Sequence, residues 1–228
     1  MAETVFREKK ESPTGISGIE ATCMFIKPEV VGDSRLGKLY KEVAKYCNEQ
    51  EIMIVGMRRI PADEVANNLR NHYLVEEGKF EATGKKVLRA FETQSIPNQE
   101  RDALLSKFNL SADDPYSIGK WVMELELREY AGKEEIFLLF AGPNAIKSLY
   151  EIRGTSDPLD AKPGTLRAKF SSMHIVDMFR GEGKALDNIV HVPESKDEAS
   201  RYILETFNNT EDEVIEKYNK KLLLRVSR

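Results

Sequence analysis

The chain has 228 residues, of which 41% are hydrophobic and 32% charged, and its formal net charge is −4. This composition suits a soluble protein built as one large domain or one domain with additions, and the acidic balance argues against a general nucleic-acid binder. No apolar run approaches the ~20 residues that cross a bilayer, and Met1 to Gly18 lacks the apolar stretch of a secretory signal. Cys23 and Cys47 fall in a predicted strand and a predicted helix. They read as buried thiols of a reducing compartment, so a cytoplasmic home is expected.

Residues 1–20, with charges, Pro13 and glycines, read as a flexible N-terminal arm. Thr22–Ile26 is a short apolar strand that ends on Lys27-Pro28. A cap signal at Gly32-Asp-Ser34 opens a helix carrying Leu36, Leu39, Val43 and Cys47 at helical spacing. Ile52–Met57 is the next strand, and a helix begins at Pro61 with Val65, Leu69 and Tyr73 on one face. Apolar clusters at Val87, Leu88 and Phe91, then at Leu104, Leu105 and Phe108, predict a helical stretch over about 81–117. A further helix carries Ile118, Trp121, Val122 and Leu125. Ile136–Phe140 is the third strand, Ala145–Tyr150 a short helix, Asn188–His191 the fourth strand and Glu198–Phe207 the last core helix. From Asn208 a tail repeats Val214, Tyr218 and Leu222 on one face and ends basic, which reads as a helix docked on its own body or on a second subunit. The order predicts an α+β sandwich of ferredoxin-like type, an antiparallel four-stranded sheet with helices packed on it.

Three segments carry chemistry. His191 stands at a strand end, and a neutral imidazole has a lone pair available at pH 7 that can attack a phosphorus without a separate base. Upstream, Lys162-Pro-Gly-Thr-Leu-Arg167 presents cations and a hydroxyl on a Pro-Gly turn, and Lys27 places a point charge at the end of the first strand. Phosphoryl transfer asks a protein mainly to position groups and to neutralise phosphate charge, and these residue types do both. The bland alternatives are an exposed turn and a histidine that fills a strand; each is the better reading of its segment alone, and their succession along one chain tips the balance. No spacing among His72, His174 and His191 suggests a metal site.

In this order the segments resemble the nucleoside diphosphate kinase family, in which Lys-Pro opens the fold, a Lys-Pro-Gly-Thr-Ile/Leu-Arg loop lines the site, and an Asn-Ile-x-His strand carries the phosphorylated histidine. The resemblance covers roughly residues 20–80 and 117–207. It implies a family domain over 21–207 with a helical insertion at 81–117 and a C-terminal helical extension over 208–228. It further implies transfer of a γ-phosphoryl from a nucleoside triphosphate to a diphosphate through phospho-His191, with Mg²⁺ carried by the nucleotide phosphates, and a homo-oligomer. By the same resemblance Lys27, Tyr73, Ser156 and Arg167 contact the nucleotide, Asn188 holds the ribose and Phe80 stacks on the base; Arg153 is a further phosphate-binding candidate, near the position of a family arginine and not at it.

The chain also departs from the family pattern. A phosphate-binding arginine falls at Tyr150, while Arg153 sits three residues on, about 300° round a helix. The pair after the histidine is Val192-Pro193, and the glutamate that orients the ring falls at Tyr202; Glu194 and Ser195 keep an acidic residue and a helix cap. These departures predict reduced activity, and they support the rival reading of a nucleotide-binding or scaffolding relative with little transferase activity.

Overall fold

A computed structural model describes residues 18–73 and 78–226. Residues 1–17 of the expected arm lie outside them. Strands β1 (Ile19–Ile26), β2 (Met53–Ile60), β3 (Glu135–Pro143) and β4 (Val190–His191) form one sheet in the order β2-β3-β1-β4, with every neighbouring pair antiparallel. This is the ferredoxin-like arrangement that the element order predicts.

Helices cover both faces of the sheet, which is why β1 and β3 are apolar runs and not alternating ones. On one face Met24, Ile26, Leu138 and Phe140 pack against α1 (Arg35–Glu49) and α6 (Ala145–Arg153) through Leu39, Val43 and Leu149. On the other, Cys23, Phe25 and Phe137 meet Val65 of α2 (Ala62–Tyr73), Met123 and Tyr130 of α5 (Pro115–Tyr130), and Tyr202 of α8 (Lys196–Phe207). That layer continues to α9 (Glu211–Val226), which docks Val214 and Tyr218 beside Leu139 and Ala141. The tail therefore covers the chain's own sheet. Each such side chain contributes about 1.5–3 kcal/mol when fully buried. Both cysteines are buried free thiols, and burial pushes the Cys47 thiol up to about 12.

The stretch expected over 81–117 folds as α3 (Lys79–Thr93), α4 (Asn98–Ser106) and the start of α5. Val87, Phe91, Leu105, Ile118 and Leu125 bury a cluster of their own with Phe179. Helices α3 and α5 approach backbone to backbone at two glycines. A Cβ on Gly84 would stand 1.8 Å from the Pro115 carbonyl oxygen, and one on Gly119 1.8 Å from that of Phe80. This contact fixes α3 beside the end of the sheet where β1 and β4 meet. No described helix is long and apolar enough to cross a membrane.

Candidate active site

β4 is a two-residue strand, yet it sets the geometry of the site. Phe25 pairs with His191 and Ile26 with Val190, and the Lys27 N–H donates to the Ile189 carbonyl at 2.9 Å. Lys27 and His191 thus emerge at one edge of the sheet. The turn before β4 is strained: Ile189 has φ +52, and the Val190 N–H bonds back to the Asn188 carbonyl at 2.6 Å. A β-branched residue adopts a left-handed φ only where its surroundings over-determine it. Here Glu29 accepts from the Ile189 N–H at 3.2 Å, and Asp187 is clamped by Arg35 at 2.9 Å.

Arg167 completes the clamp. The Lys162-Pro-Gly-Thr turn, closed by the Thr165 hydroxyl on the Lys162 carbonyl at 2.8 Å, leads into α7 (Leu166–Phe170). From there the Arg167 side chain, 4% exposed, donates to the carbonyls of Thr155 at 2.8 Å, Val190 at 2.9 Å and Asn188 at 3.2 Å. Arg153, 3% exposed at the end of α6, donates to Val192 O at 3.4 Å, pairs with Glu194 at 3.3 Å and lies over the Tyr150 ring at 4.1 Å. The carbonyls of Asn188, Val190 and Val192, alternate residues of one segment, therefore all receive guanidinium donors.

These groups line one cavity of about 390 Å³. Lys27, Arg153, Ser156, Arg167, Asn188 and His191 all face it, and Glu194 lies at its wall. The buried Asn188 Oδ1 has no hydrogen-bond partner among the described residues, as suits an acceptor awaiting a ligand hydroxyl. Lys27, 2% exposed, is held by Glu126 of α5 at 3.0 Å, a buried ion pair inside the cavity. Arg153 brings a guanidinium into the site from one turn beyond Tyr150, whose own ring is 40% exposed. Phe80 does not line the cavity; its ring packs edge-on against Tyr116 at 5.4 Å. Tyr73 ends α2, and its side chain lies outside the described residues.

The surroundings of His191 differ from the expectation built on Tyr202. The tyrosine hydroxyl donates to Glu198 at 2.6 Å. Glu198, one turn earlier on α8, supplies the carboxylate that Tyr202 lacks. Its Oε1 stands 3.7 Å from His191 Nε2, just beyond hydrogen-bond length, and its Oε2 accepts from the Glu194 N–H at 2.7 Å. Ser195 caps α8 by accepting from the Glu198 N–H at 3.2 Å. Burial pushes the His191 pKa down to about 4 against the pull of Glu198, and Lys79 and Arg153 lower it further. Burial works against ionising Glu198, but the His191 ring, the Tyr202 hydroxyl and the Glu194 N–H hold it well below the usual carboxylate range. At pH 7 the site pairs a neutral imidazole with an ionised carboxylate.

Sequence reasoning missed Glu198, Glu126, Lys79 and Lys86, all of which line the cavity. Only Glu198 left a signal, the Ser195-x-x-Glu198 capping-box spacing. His174 lies away from the cavity, bonded to Asp157 at 3.1 Å and to Gln94 at 3.1 Å.

A sequence model of the family described as Nucleoside diphosphate kinase matches residues 130–212, the span that holds β3, α6, α7, β4 and α8. A nucleoside diphosphate kinase of Pyrobaculum aerophilum is 24% identical over 198 residues, covering 87% of this chain and 99% of its own. One from Methanosarcina mazei is 34% identical over 76 residues, 33% of this chain and 44% of its own. Among solved structures, an NDP kinase from Pyrobaculum aerophilum superposes with TM-score 0.64 at 22% identity, covering 81% of this chain and 93% of that one. A nucleoside-diphosphate kinase from Borrelia burgdorferi with bound vanadate and ADP gives 0.55 at 16% identity over 80% and 83%. The structural likenesses carry the fold, and the sequence likenesses, over residues 130–212 to the family model and over 198 residues to the first relative, are to nucleoside diphosphate kinases.

Proposed function

We propose that the protein transfers the γ-phosphoryl of a nucleoside triphosphate to a nucleoside diphosphate in two half-reactions through phospho-His191. The observation that carries this reading is a neutral, partly shielded imidazole in a cavity walled by Lys27, Arg153 and Arg167. The Glu198 carboxylate on the Nε2 side favours the tautomer protonated there and leaves the lone pair on Nδ1. Nδ1 attacks the γ-phosphorus, the bond to the β-phosphate oxygen breaks, and the diphosphate leaves. A terminal oxygen of the second diphosphate then attacks the phosphorus, and the P–N bond breaks.

Each cation has a stated task in this reading. Arg167 and Arg153 face the phosphate oxygens from positions locked to the strand of the histidine, so little reorganisation accompanies charge development. Lys27 adds a point charge at the strand end, Ser156 a hydroxyl donor, and the unpartnered Asn188 Oδ1 accepts from the ribose. The carboxylates lining the cavity are engaged, Glu126 by Lys27, Glu194 by Arg153 and Glu198 by Tyr202. None of them is left to hold a metal, so Mg²⁺ would come with the nucleotide and would neutralise phosphate charge there. Glu198 also answers one of the departures behind the expectation of weak activity, since the ring keeps a carboxylate beside it in place of the one missing at Tyr202. The same reading takes 21–207 as the family domain with α3 and α4 inserted, α9 as an extension, and the protein as a cytoplasmic homo-oligomer.

The test is incubation with γ-labelled Mg²⁺-ATP, peptide mapping, and a chase with a second nucleoside diphosphate. A base-stable, acid-labile label on His191 that chases into the new triphosphate is expected. Label on His174 or on serine, or label that does not chase, overturns the reading.

A further inference from the structure

One wall of the cavity is made by α3, where the resemblance assigns a role only to Phe80, a residue that does not line the cavity. Lys79, Ala82, Thr83, Lys86 and Val87 of α3 all line it. Their spacing of i, i+3, i+4, i+7 and i+8 is one face of a helix. The backbone contacts of Gly84 with Pro115 and of Gly119 with Phe80 seat that helix on α5, which also carries Glu126 and hence Lys27. The face is therefore a fixed part of the site.

Its two cations differ in their surroundings. Lys79 is 17% exposed, with Nζ 3.7 Å from Glu198 Oε1, the same oxygen that faces His191. Lys86, two turns further along, is exposed and forms no ion pair among the described residues. The cations of the opposite wall are all committed, Lys27 to Glu126, Arg153 to Glu194 and Arg167 to three carbonyls. Lys86 is a cavity cation with neither an ion pair nor a hydrogen bond among the described residues, and a lysine stem can swing to meet a ligand.

We propose that α3 is a second phosphate-binding wall, in which Lys86 and Thr83 hold the phosphate chain of a bound nucleotide and Lys79 faces the phosphoryl group at the His191 end. The proposal rests on the kinase reading and gives the extra helices a task. Nucleotide phosphates would be clamped between α3 on one side and Arg153, Arg167 and Lys27 on the other. Lys86 would contact phosphate equally before and during transfer, so its removal raises KM and spares kcat, whereas Lys79 would act on the reacting group and its removal lowers kcat.

The experiment titrates ADP and adenosine into the full chain, wild type, Lys86→Ala, Lys86→Arg and Lys79→Met, and measures His191 phosphorylation kinetics on the same four proteins. Lys86→Ala should weaken ADP about tenfold, the worth of one charge-assisted phosphate contact, with adenosine affinity and thermal midpoint unchanged. Lys86→Arg should recover most of the loss. Lys79→Met should lower the phosphorylation rate about tenfold or more. Equal ADP affinity in Lys86→Ala and wild type overturns the wall, as does an equal loss for adenosine. A wild type that binds ADP without phosphorylating His191 overturns the kinase reading and leaves the Lys86 comparison to decide the wall by itself.

Discussion

Oε1 of Glu198 lies 3.7 Å from Nε2 of His191 and 2.6 Å from the Tyr202 hydroxyl, so one carboxylate oxygen links the imidazole to the core of α8. Glu198→Gln keeps the shape and removes the charge that selects the ring tautomer. Losses on removing such supporting partners run to roughly 10- to 100-fold. That loss is expected in the rate of His191 phosphorylation, measured by rapid quench, with nucleotide affinity little changed. Tyr202→Phe should cost less, because the Glu194 N–H still holds Oε2.

The pH profile follows from burial of the imidazole. With the His191 pKa pushed down to about 4, the nucleophile stays neutral well below the value near 6.5 of a free imidazole. The acid limb of phosphoenzyme formation should therefore centre near pH 4 to 5, wherever the fold survives. Stability moves the other way. The unfolded chain takes up the His191 proton first, so stability declines as pH falls from about 6.5 towards 4. Glu198, held below its usual range, contributes stability above about 4.3 that is lost as pH falls through its folded value. Chemical denaturation at pH 7.5, 6 and 5 checks the slope. Stability that rises on acidification would contradict it.

Lys27 and Glu126 form a buried pair 3.0 Å apart, and breaking one side strands the other. Lys27→Met should destabilise the protein by about 3–5 kcal/mol in denaturant titration. Adding Glu126→Leu should recover most of that stability. Phosphotransfer should not return with it, because the point charge at the strand end stays absent.

Arg167→Ala removes the donor of three carbonyls in a buried turn. A stability loss on the order of 3 kcal/mol is expected, together with a lower transfer rate. Arg167→Lys keeps the charge without the planar fork and should restore only part of either.

Much of this was legible in the residues. The apolar runs Thr22–Ile26 and Ile136–Phe140 located β1 and β3, and Ser195 marked the start of α8. Lys27, Arg167, Asn188 and His191 converge as the motif order implied. Distance along the chain hid the rest. Glu126 lies 99 residues from the lysine it holds, and nothing local marks it as polar core. Glu198 read only as the first residue of the last core helix, with the cap placed at Glu194-Ser195, and counting positions without gaps pointed to Tyr202. Arg153 was placed about 300° round the helix from the counted position. At the last turn of α6 a long side chain lying over Tyr150 still enters the cavity. Phe80 does not line the cavity; on the helix that Gly84 and Gly119 seat against α5, its ring packs on Tyr116.

β4 is the outermost strand on its side of the sheet, and such a border ordinarily offers bare carbonyls on which a foreign strand can nucleate. Here the outward positions are already taken. The Lys27–Ile189 bond and the Phe25–His191 pairing turn the polar groups of Val190 away from β1, and Arg167 and Arg153 occupy the carbonyls of Asn188, Val190 and Val192. Two side chains thus stand in for a missing fifth strand. The segment that carries His191 is shielded from strand-swapping and amyloid-like stacking by the same guanidiniums that line the cavity, so a substitution of either arginine would bare this edge as well as alter the site.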